Sequence, residues 1–223
     1  MIGRSVNGRA ITAQRLGDPN SPRKALIVGN IHGDEAQGLR VLRAIRAAES
    51  DVHGVDLWMI DTVNPDGLRA HRRQNARGVD LNRNFGVGWR RTGPRGSRYF
   101  AGPRAFSEPE SRAVRKLVMR LRPAITIWYH QPLGFVFPPL GGGDLAVSRT
   151  YARLTSNSVR TPPGVRYTGT ATMWQNRRLP DSTAFVVELP AAALTGGGIA
   201  RHARAALAVA TLGALAGRPG SGA

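Results

Sequence analysis

The sequence contains no cysteine, which excludes disulfide bonds and thiolate metal sites. Any metal ion bound by this chain would therefore need His, Asp or Glu ligands. No apolar run reaches the roughly 18 residues of a membrane helix, so we expect no membrane span. The opening segment MIGRSVNGRAIT lacks the apolar core of a signal peptide. The compartment and the oligomeric state stay open.

Acidic residues are scarce, and lysine is scarcer still. The chain has 14 Asp and Glu against 32 Lys and Arg, only Lys24 and Lys116 are lysines, and the formal net charge is +18. Such a charge attracts anionic polymers, whether nucleic acid or an acidic cell-wall polymer, although a solvated Arg-rich surface with no particular partner explains it equally well. The arginines are scattered and no nucleic-acid-binding motif occurs, so we expect no nucleic-acid partner.

Apolar runs alternate with helical patterns along the 223 residues, a length that suits one domain spanning 1–223. Strands are predicted in AITAQRLG (10–17), KALIVGN (24–30), VDLWMIDTV (55–63), AITIWYH (124–130) and STAFVVELP (182–190). Helices are predicted in DEAQGLRVLRAIRAAE (34–49), with acids in its first turn, in SEPESRAVRKLVMRLRP (107–123), with Ser107 and Glu110 at capping-box spacing, and in IARHARAALAVATLGALAG (199–217). Residues 217–223 are expected to form a flexible tail. The alternation predicts an α/β fold: a mostly parallel, mixed twisted sheet with helices on both faces.

Polar side chains follow several of the predicted strands. They are His32 and Glu35 in GNIHGDE, Asn64 and Asp66 in NPDG, His130 after AITIWY, and Glu188 in FVVELP. Ligands of open α/β sheets bind beyond the carboxyl ends of the strands, so these side chains should share one edge.

Two histidines and one carboxylate form the ligand set of an open catalytic zinc site. His32 and Glu35 lie three residues apart, and His130 would arrive from another strand. Taken alone, each feature has an ordinary alternative: a turn residue with a helix first-turn acid for the pair, and a hydrogen-bonded core histidine for His130.

Glu188 follows three apolar residues, so its carboxylate must be partnered or perturbed. One interpretation is a buried Glu–Arg pair, and the other is a general base that activates water at a metal. The segment RRQNARGVDLNRNF (72–85) favours the second interpretation, because its Asp80 is flanked by apolar residues and followed by Asn82 and Arg83, which is unlike a solubilising loop.

Together, GNIHGDE, NPDG, R-x-N-x-x-GVDLNRNF, the strand-end histidine and FVVELP resemble the zinc carboxypeptidase family that includes carboxypeptidase A. The short chain looks most like its bacterial murein peptide amidase branch, which trims peptidoglycan peptides. The similarity in motifs and in the order of elements runs from IGRSVNGR to the region of Glu188.

The resemblance implies one Zn²⁺ per chain bound by His32, Glu35 and His130, with Asp80 orienting a ligand histidine. It also implies that Arg73 stabilises the oxyanion, that Asn82 and Arg83 bind the free carboxylate of the substrate, and that Glu188 is the general base and acid.

The later part of the chain departs from the family pattern. Tyr167 is a candidate for the family's mobile tyrosine, and a strand-end aromatic is the other interpretation. The expected specificity pocket, residues 169–174, contains no acid, which disfavours a basic substrate residue. Arg177 and Arg178 are proposed to meet an additional acidic group, such as those of a diaminopimelate or γ-glutamyl substrate.

The leading hypothesis is therefore a zinc-dependent peptidase or amidase that cleaves a peptide bond next to a free carboxylate in cell-wall peptides. A zinc deacylase of N-acyl amino acids, resembling the desuccinylases, is the neighbouring alternative. A non-catalytic binder of anionic polymers is the alternative from a different class.

Overall fold

The computed structural model describes residues 1–162 and 167–212. Its strands are β1 (Gly3–Arg4), β2 (Ala10–Ile11), β3 (Gln14–Gly17), β4 (Lys24–Val28), β5 (Asp56–Ile60), β6 (Ile125–His130), β7 (Leu133–Val136) and β8 (Thr183–Pro190). Its α-helices are α1 (Gln37–Ala47), α2 (Pro65–Arg69), α3 (Pro109–Leu121), α4 (Leu145–Thr155), α5 (Ala171–Arg178) and α6 (Gly196–Leu212).

Six of these strands form one sheet in the order β3-β5-β4-β6-β8-β7. The four central strands run parallel, and the edge strands β3 and β7 are antiparallel to their neighbours. The predicted mostly parallel, mixed sheet is thus confirmed. Strands β1 and β2 form a separate small antiparallel pair.

The central strands are apolar along their whole length because helices cover both faces of the sheet. In β4, Ile27 packs into a core with residues of α1, α4 and α6, whereas Leu26 and Val28 point into the opposite core with residues of α3 and α5. This arrangement confirms the α/β class with helices on both faces.

Several predicted boundaries were wrong. The segment 10–17 is two strands, because residues 10–11 pair with β1 and residues 14–17 with β5. Helix α1 begins at Gln37, so Asp34 and Glu35 precede it. Helix α3 begins at Pro109, and Glu108 at its N-cap position makes no capping hydrogen bond through its side chain. The predicted capping box is therefore absent. Ser107 instead donates to the Glu108 carboxylate, and Glu110 accepts the backbone N–H of Val6.

Helix α6 is tied to the sheet by a buried polar chain. The hydroxyls of Tyr129 in β6 and Tyr151 in α4 lie 3.0 Å apart, and the Tyr151 hydroxyl lies 2.8 Å from Nδ1 of His202 in α6. Burial lowers the pKa of His202 to about 4, so this imidazole is neutral at pH 7. The C-terminal helix therefore belongs to the packing of the sheet, as its Ala-rich pattern suggests.

None of the helices in residues 1–162 and 167–212 has the length and apolarity needed to cross a bilayer. The predicted flexible tail, 217–223, lies outside the described residues.

Candidate functional site

Three neighbouring parallel strands deliver the predicted site residues to one edge of the sheet. Strand β4 is followed by the turn that carries His32 and Glu35, and His130 is the last residue of β6. Glu188 in β8 is paired in register with His130. Parallel strands end on the same side, which is why residues far apart in the sequence meet here.

The turn between β4 and α1 is held by a buried asparagine. The side-chain amide of Asn30 donates to the backbone carbonyls of His32 and Glu35, and its oxygen accepts a hydrogen bond from Thr62. The turn also lies directly on the NPDG segment: a Cβ on Gly33 would lie 1.9 Å from the carbonyl carbon of Gly67. Gly33 is thus required by this close backbone approach, whereas a Cβ on Gly67 would instead meet the side chain of Asn64 and the carbonyl of Gln74.

His32, Glu35 and His130 form a buried cluster whose ligand-capable atoms all lie within 4.8 Å of one another. The carboxylate of Glu35 lies 2.9 Å from Nδ1 of His32 and 2.7 Å from Nδ1 of His130. The two Nδ1 atoms are 3.1 Å apart. The structure therefore brings together the three residues predicted to bind a metal.

Asp80 and Arg73 surround this cluster. The buried Asp80 carboxylate lies 3.0 Å from Nε2 of His32 and accepts hydrogen bonds from Nε and Nη2 of Arg73 at 3.1 and 2.9 Å. Arg73 also donates from Nη1 to Glu35 at 3.1 Å. Nε2 of His32 thus faces the Asp80 carboxylate, and Nδ1 of the same ring faces Glu35 and His130.

The charges of the cluster act on one another. Burial alone would raise the pKa of Glu35, but His32 and His130 hold that pKa well below its ordinary value. Burial would likewise raise the pKa of Asp80, and the adjacent His32 and Arg73 lower it. Both carboxylates are therefore ionised at neutral pH.

The donor set fits Zn²⁺. Two imidazole nitrogens and one carboxylate match an open catalytic zinc site, and His32 has the carboxylate partner that metal-binding histidines commonly have. The two Nδ1 atoms and the Glu35 carboxylate converge with separations of 2.7, 2.9 and 3.1 Å, so that one cation placed among them would contact all three groups.

Glu188 is buried beside the cluster with 9% of its surface exposed, and in the described part of the chain no arginine, lysine or histidine nitrogen lies within 4.0 Å of its carboxylate. Among the described residues, Glu188 therefore forms no Glu–Arg pair. Burial raises the pKa of Glu188, and the nearby Glu35 contributes in the same direction. A carboxylate of this kind is suited to accepting and returning a proton.

A cavity of about 1190 Å³ opens over these residues. Its wall includes His32, Glu35, Arg73, Asn82, Arg83, His130 and Glu188. Asn82 is fixed, because its oxygen accepts the N–H of Ala171 and its Nδ2 lies 3.3 Å from Nε2 of His130. Arg83 donates from Nη1 to the carbonyl of Asn82, so the two polar groups face the cavity together.

Sequence reasoning missed part of the cavity wall. Arg90, Arg98 and Tyr99 come from an irregular loop, and Arg160 follows a short bridge to β7. An aromatic residue within the Arg- and Gly-rich stretch GWRRTGPRGSRYF was the available signal, but no local spacing ties that loop to the site.

Other predicted residues lie elsewhere. Neither Arg177 nor Arg178 lines the cavity: the stem of Arg177 packs beside Gly141, and Arg178 borders a separate small cleft. Their predicted contact with a substrate acid therefore has no support in the cavity wall. The NPDG residues Asn64 and Asp66 are also structural, Asn64 capping α2 and Asp66 pairing with Arg9.

Tyr167 does line the cavity, and its ring packs edge-on against Phe137 with the centroids 5.4 Å apart. Thr168, Thr170 and Thr172 line it too, and in the described residues the only acids in the wall are Glu35 and Glu188.

Comparison with known proteins identifies the family of this chain. The family model for zinc carboxypeptidases matches residues 1–158, a segment that ends before Glu188. Murein peptide amidase A of Escherichia coli (strain K12) is 34% identical over 133 residues, covering 53% of this chain and 53% of that protein. Carboxypeptidase SOL1 of Arabidopsis thaliana is 33% identical over 99 residues, which cover 38% of this chain and 20% of that protein. The chain spans about half the length of the murein peptide amidases that it matches.

Solved structures share the fold. A murein-tripeptide amidase from Escherichia coli O157 superimposes with a TM-score of 0.71 at 23% identity, covering 94% of this chain and 90% of that chain. Carboxypeptidase A from Helicoverpa armigera gives 0.77 at 21% identity, covering 96% and 68%. The predicted resemblance, including that to the murein peptide amidases, is thus confirmed. The chain belongs to the zinc carboxypeptidase family, a family of hydrolases.

Proposed function

We propose that this protein is a zinc-dependent peptidase or amidase that cleaves the peptide bond next to a free carboxylate in peptidoglycan-derived peptides of the γ-D-glutamyl-diaminopimelate type. The observation that carries this proposal is the convergence of His32, Glu35 and His130 within 4.8 Å in the wall of a cavity that also holds Glu188 and Arg73.

His32, Glu35 and His130 would hold one Zn²⁺ per chain. When bound by such residues, the ion acts as a Lewis acid that polarises a carbonyl and lowers the pKa of a coordinated water. Asp80 keeps His32 in the tautomer that presents Nδ1, since its carboxylate lies 3.0 Å from Nε2.

Glu188 accepts a proton from the attacking water and returns it to the leaving amine. Its location supports this role, because it is paired in register with His130 and has no basic partner among the described residues. An unpaired carboxylate at this position remains free to exchange a proton.

Arg73 donates to the carbonyl oxygen as negative charge develops on it. Three of its N–H groups already bind Asp80 and Glu35, which fixes the guanidinium, and a guanidinium has five N–H donors. The remaining donors can face the substrate in a preorganised direction. Asn82 and Arg83 bind the free carboxylate, Arg83 through a charge-assisted pair.

The peptidoglycan substrate is supported by the similarity to murein peptide amidases and by the cationic cavity wall. The first test is to measure the zinc content of the purified protein and its hydrolysis of a peptide containing γ-D-glutamyl-diaminopimelate, with and without a chelator. We expect one zinc per chain and cleavage that stops with the chelator and returns when zinc is added.

Absence of zinc even after it is added back would contradict the metal site. Zinc binding with cleavage of N-acyl amino acids, but not of the wall peptide, would retain the site and contradict the proposed substrate.

A further inference from the structure

The cavity wall is strongly cationic. Among the residues that the structure describes, it contains five arginines, Arg73, Arg83, Arg90, Arg98 and Arg160, but only two carboxylates, Glu35 and Glu188. Such a concave surface raises the local concentration of anions.

These arginines differ in how their charge is compensated. Arg73 is paired with Asp80 and Glu35. Among the described residues, no carboxylate oxygen lies within 4.0 Å of the guanidinium groups of the other four. One substrate carboxylate accounts for Arg83 in the proposed function, so Arg90, Arg98 and Arg160 are left over.

Of these three, Arg98 contacts the same aromatic ring as the proposed carboxylate-binding residue Arg83. The ring of Tyr99 has the guanidinium carbon of Arg83 at 5.3 Å, that of Arg73 at 5.4 Å and that of Arg98 at 5.8 Å from its centroid. Cation–π attraction holds several like charges around this ring. The separation between the guanidinium carbons of Arg83 and Arg98 is thus no greater than their two distances to the centroid, 5.3 and 5.8 Å, added together. Two carboxylates of one residue can bridge guanidinium groups at such a spacing.

We propose that Arg98, positioned on Tyr99 beside Arg83, binds a second carboxylate of the substrate and makes the enzyme selective for a dicarboxylic residue at the end of the peptide. This inference rests on the proposed function and deepens it. It replaces the predicted role of Arg177 and Arg178, which lie outside the cavity.

The test is a binding measurement, which does not depend on cleavage. Isothermal titration calorimetry on the metal-free protein compares the dipeptides Ala-Glu and Ala-Gln, which have nearly the same shape and differ by one negative charge. A hydrogen-bonded ion pair that forms with only one of them should favour Ala-Glu by about tenfold in Kd, since each 1.4 kcal/mol is a factor of ten. We expect Arg98→Gln to abolish this preference and to change the affinity for Ala-Gln less than twofold.

Arg91→Gln is the matched control, because Arg91 lies in the same loop, is exposed and does not line the cavity. It should retain the preference. Persistence of the tenfold preference in Arg98→Gln would overturn the proposal. An equal loss of the preference in Arg91→Gln would also overturn it, because the preference would then come from the summed positive charge of the loop and not from a specific ion pair with Arg98. Failure of the wall-peptide assay with a normal Ala-Glu preference would instead contradict the proposed reaction and leave the subsite standing.

Discussion

At the level of single residues, the site contains two buried glutamates whose surroundings act in opposite directions. Glu35 contacts both histidines, which lower its pKa, whereas Glu188 has no basic contact among the described residues and its pKa is raised by burial. Two carboxyl groups whose pKa values are shifted in opposite directions are suited to different chemical roles. Glu35 is suited to staying ionised beside a cation, and Glu188 is suited to carrying a proton.

Glu188→Gln should therefore retain zinc and lose activity. General acid–base catalysis contributes about 10²- to 10⁴-fold, so we expect kcat on the wall peptide to fall by at least about 100-fold. The measurement pairs steady-state kinetics with zinc analysis of the same sample. Glu49→Gln is the control, because Glu49 is exposed and does not line the cavity. Turnover like that of the wild type in Glu188→Gln would refute the role, and loss of zinc would place this carboxylate among the ligands instead.

The chemistry-bearing residues were predictable from the sequence only where a motif carried them. His32, Glu35, Asp80 and Arg83 lie in short segments whose spacing is informative, and the structure brings them together. Arg98 and Tyr99 have no such spacing, because their place in the cavity depends on how an irregular loop folds back over the sheet. Whether Arg177 joins the cavity wall is likewise not set by local spacing, because it depends on the packing of a whole helix.

At the level of elements, two turns that are distant in the sequence support each other. The turn carrying His32 and Glu35 lies on the NPDG turn with no room for a side chain, since a Cβ on Gly33 would meet the backbone of Gly67 at 1.9 Å. Gly33 of GNIHGDE and the backbone of NPDG therefore form one contact. This contact fixes the direction in which the metal-binding turn leaves β4.

We expect Gly33→Ala to displace this turn, lowering zinc affinity by at least tenfold and the melting temperature by several degrees. Backbone atoms cannot rotate away as a side chain can, so the clash must move the turn itself. Competition with a chromogenic chelator measures the affinity, and thermal unfolding measures the stability. Gly197→Ala serves as the control, because a Cβ there meets no atom within 4 Å. Unchanged zinc affinity in Gly33→Ala would show that the turn tolerates displacement.

Most strands and three of the helices were predictable from local patterns, because apolar runs and helical periodicity are local signals. The errors arose where a residue distant in the sequence determines which hydrogen bonds form and where a helix begins. Ser107 and Glu110 have capping-box spacing, yet Glu110 binds the backbone of Val6 and Ser107 binds Glu108. The N-cap position is Glu108, so α3 starts at Pro109, one residue later than a cap at Ser107 predicts. Helices α2, α4 and α5 were not predicted.

At the scale of the whole molecule, the charge of +18 is large for 223 residues. Few acids are available to offset it, and several of them, such as Asp56, Asp66 and Asp80, are already buried against arginine partners. The remaining arginines repel one another across the surface. The same excess that attracts an acidic substrate therefore destabilises the folded chain.

Added salt should stabilise this protein. Raising NaCl from 10 mM to 150 mM shortens the screening length from about 30 Å to about 8 Å, which weakens repulsion between distant charges far more than it weakens buried ion pairs. We expect the melting temperature of the zinc-loaded protein to rise by at least about 2 °C, the shift that about 1 kcal/mol produces at this size.

The double variant Arg43→Gln/Arg149→Gln, at two exposed helical positions without carboxylate partners in the described structure, should melt higher in 10 mM NaCl and respond less to salt. The control is Arg43→Lys/Arg149→Lys, which keeps both charges and should behave like the wild type. A melting temperature that falls with salt would mean that ion pairs such as Arg15–Asp56 outweigh the repulsion.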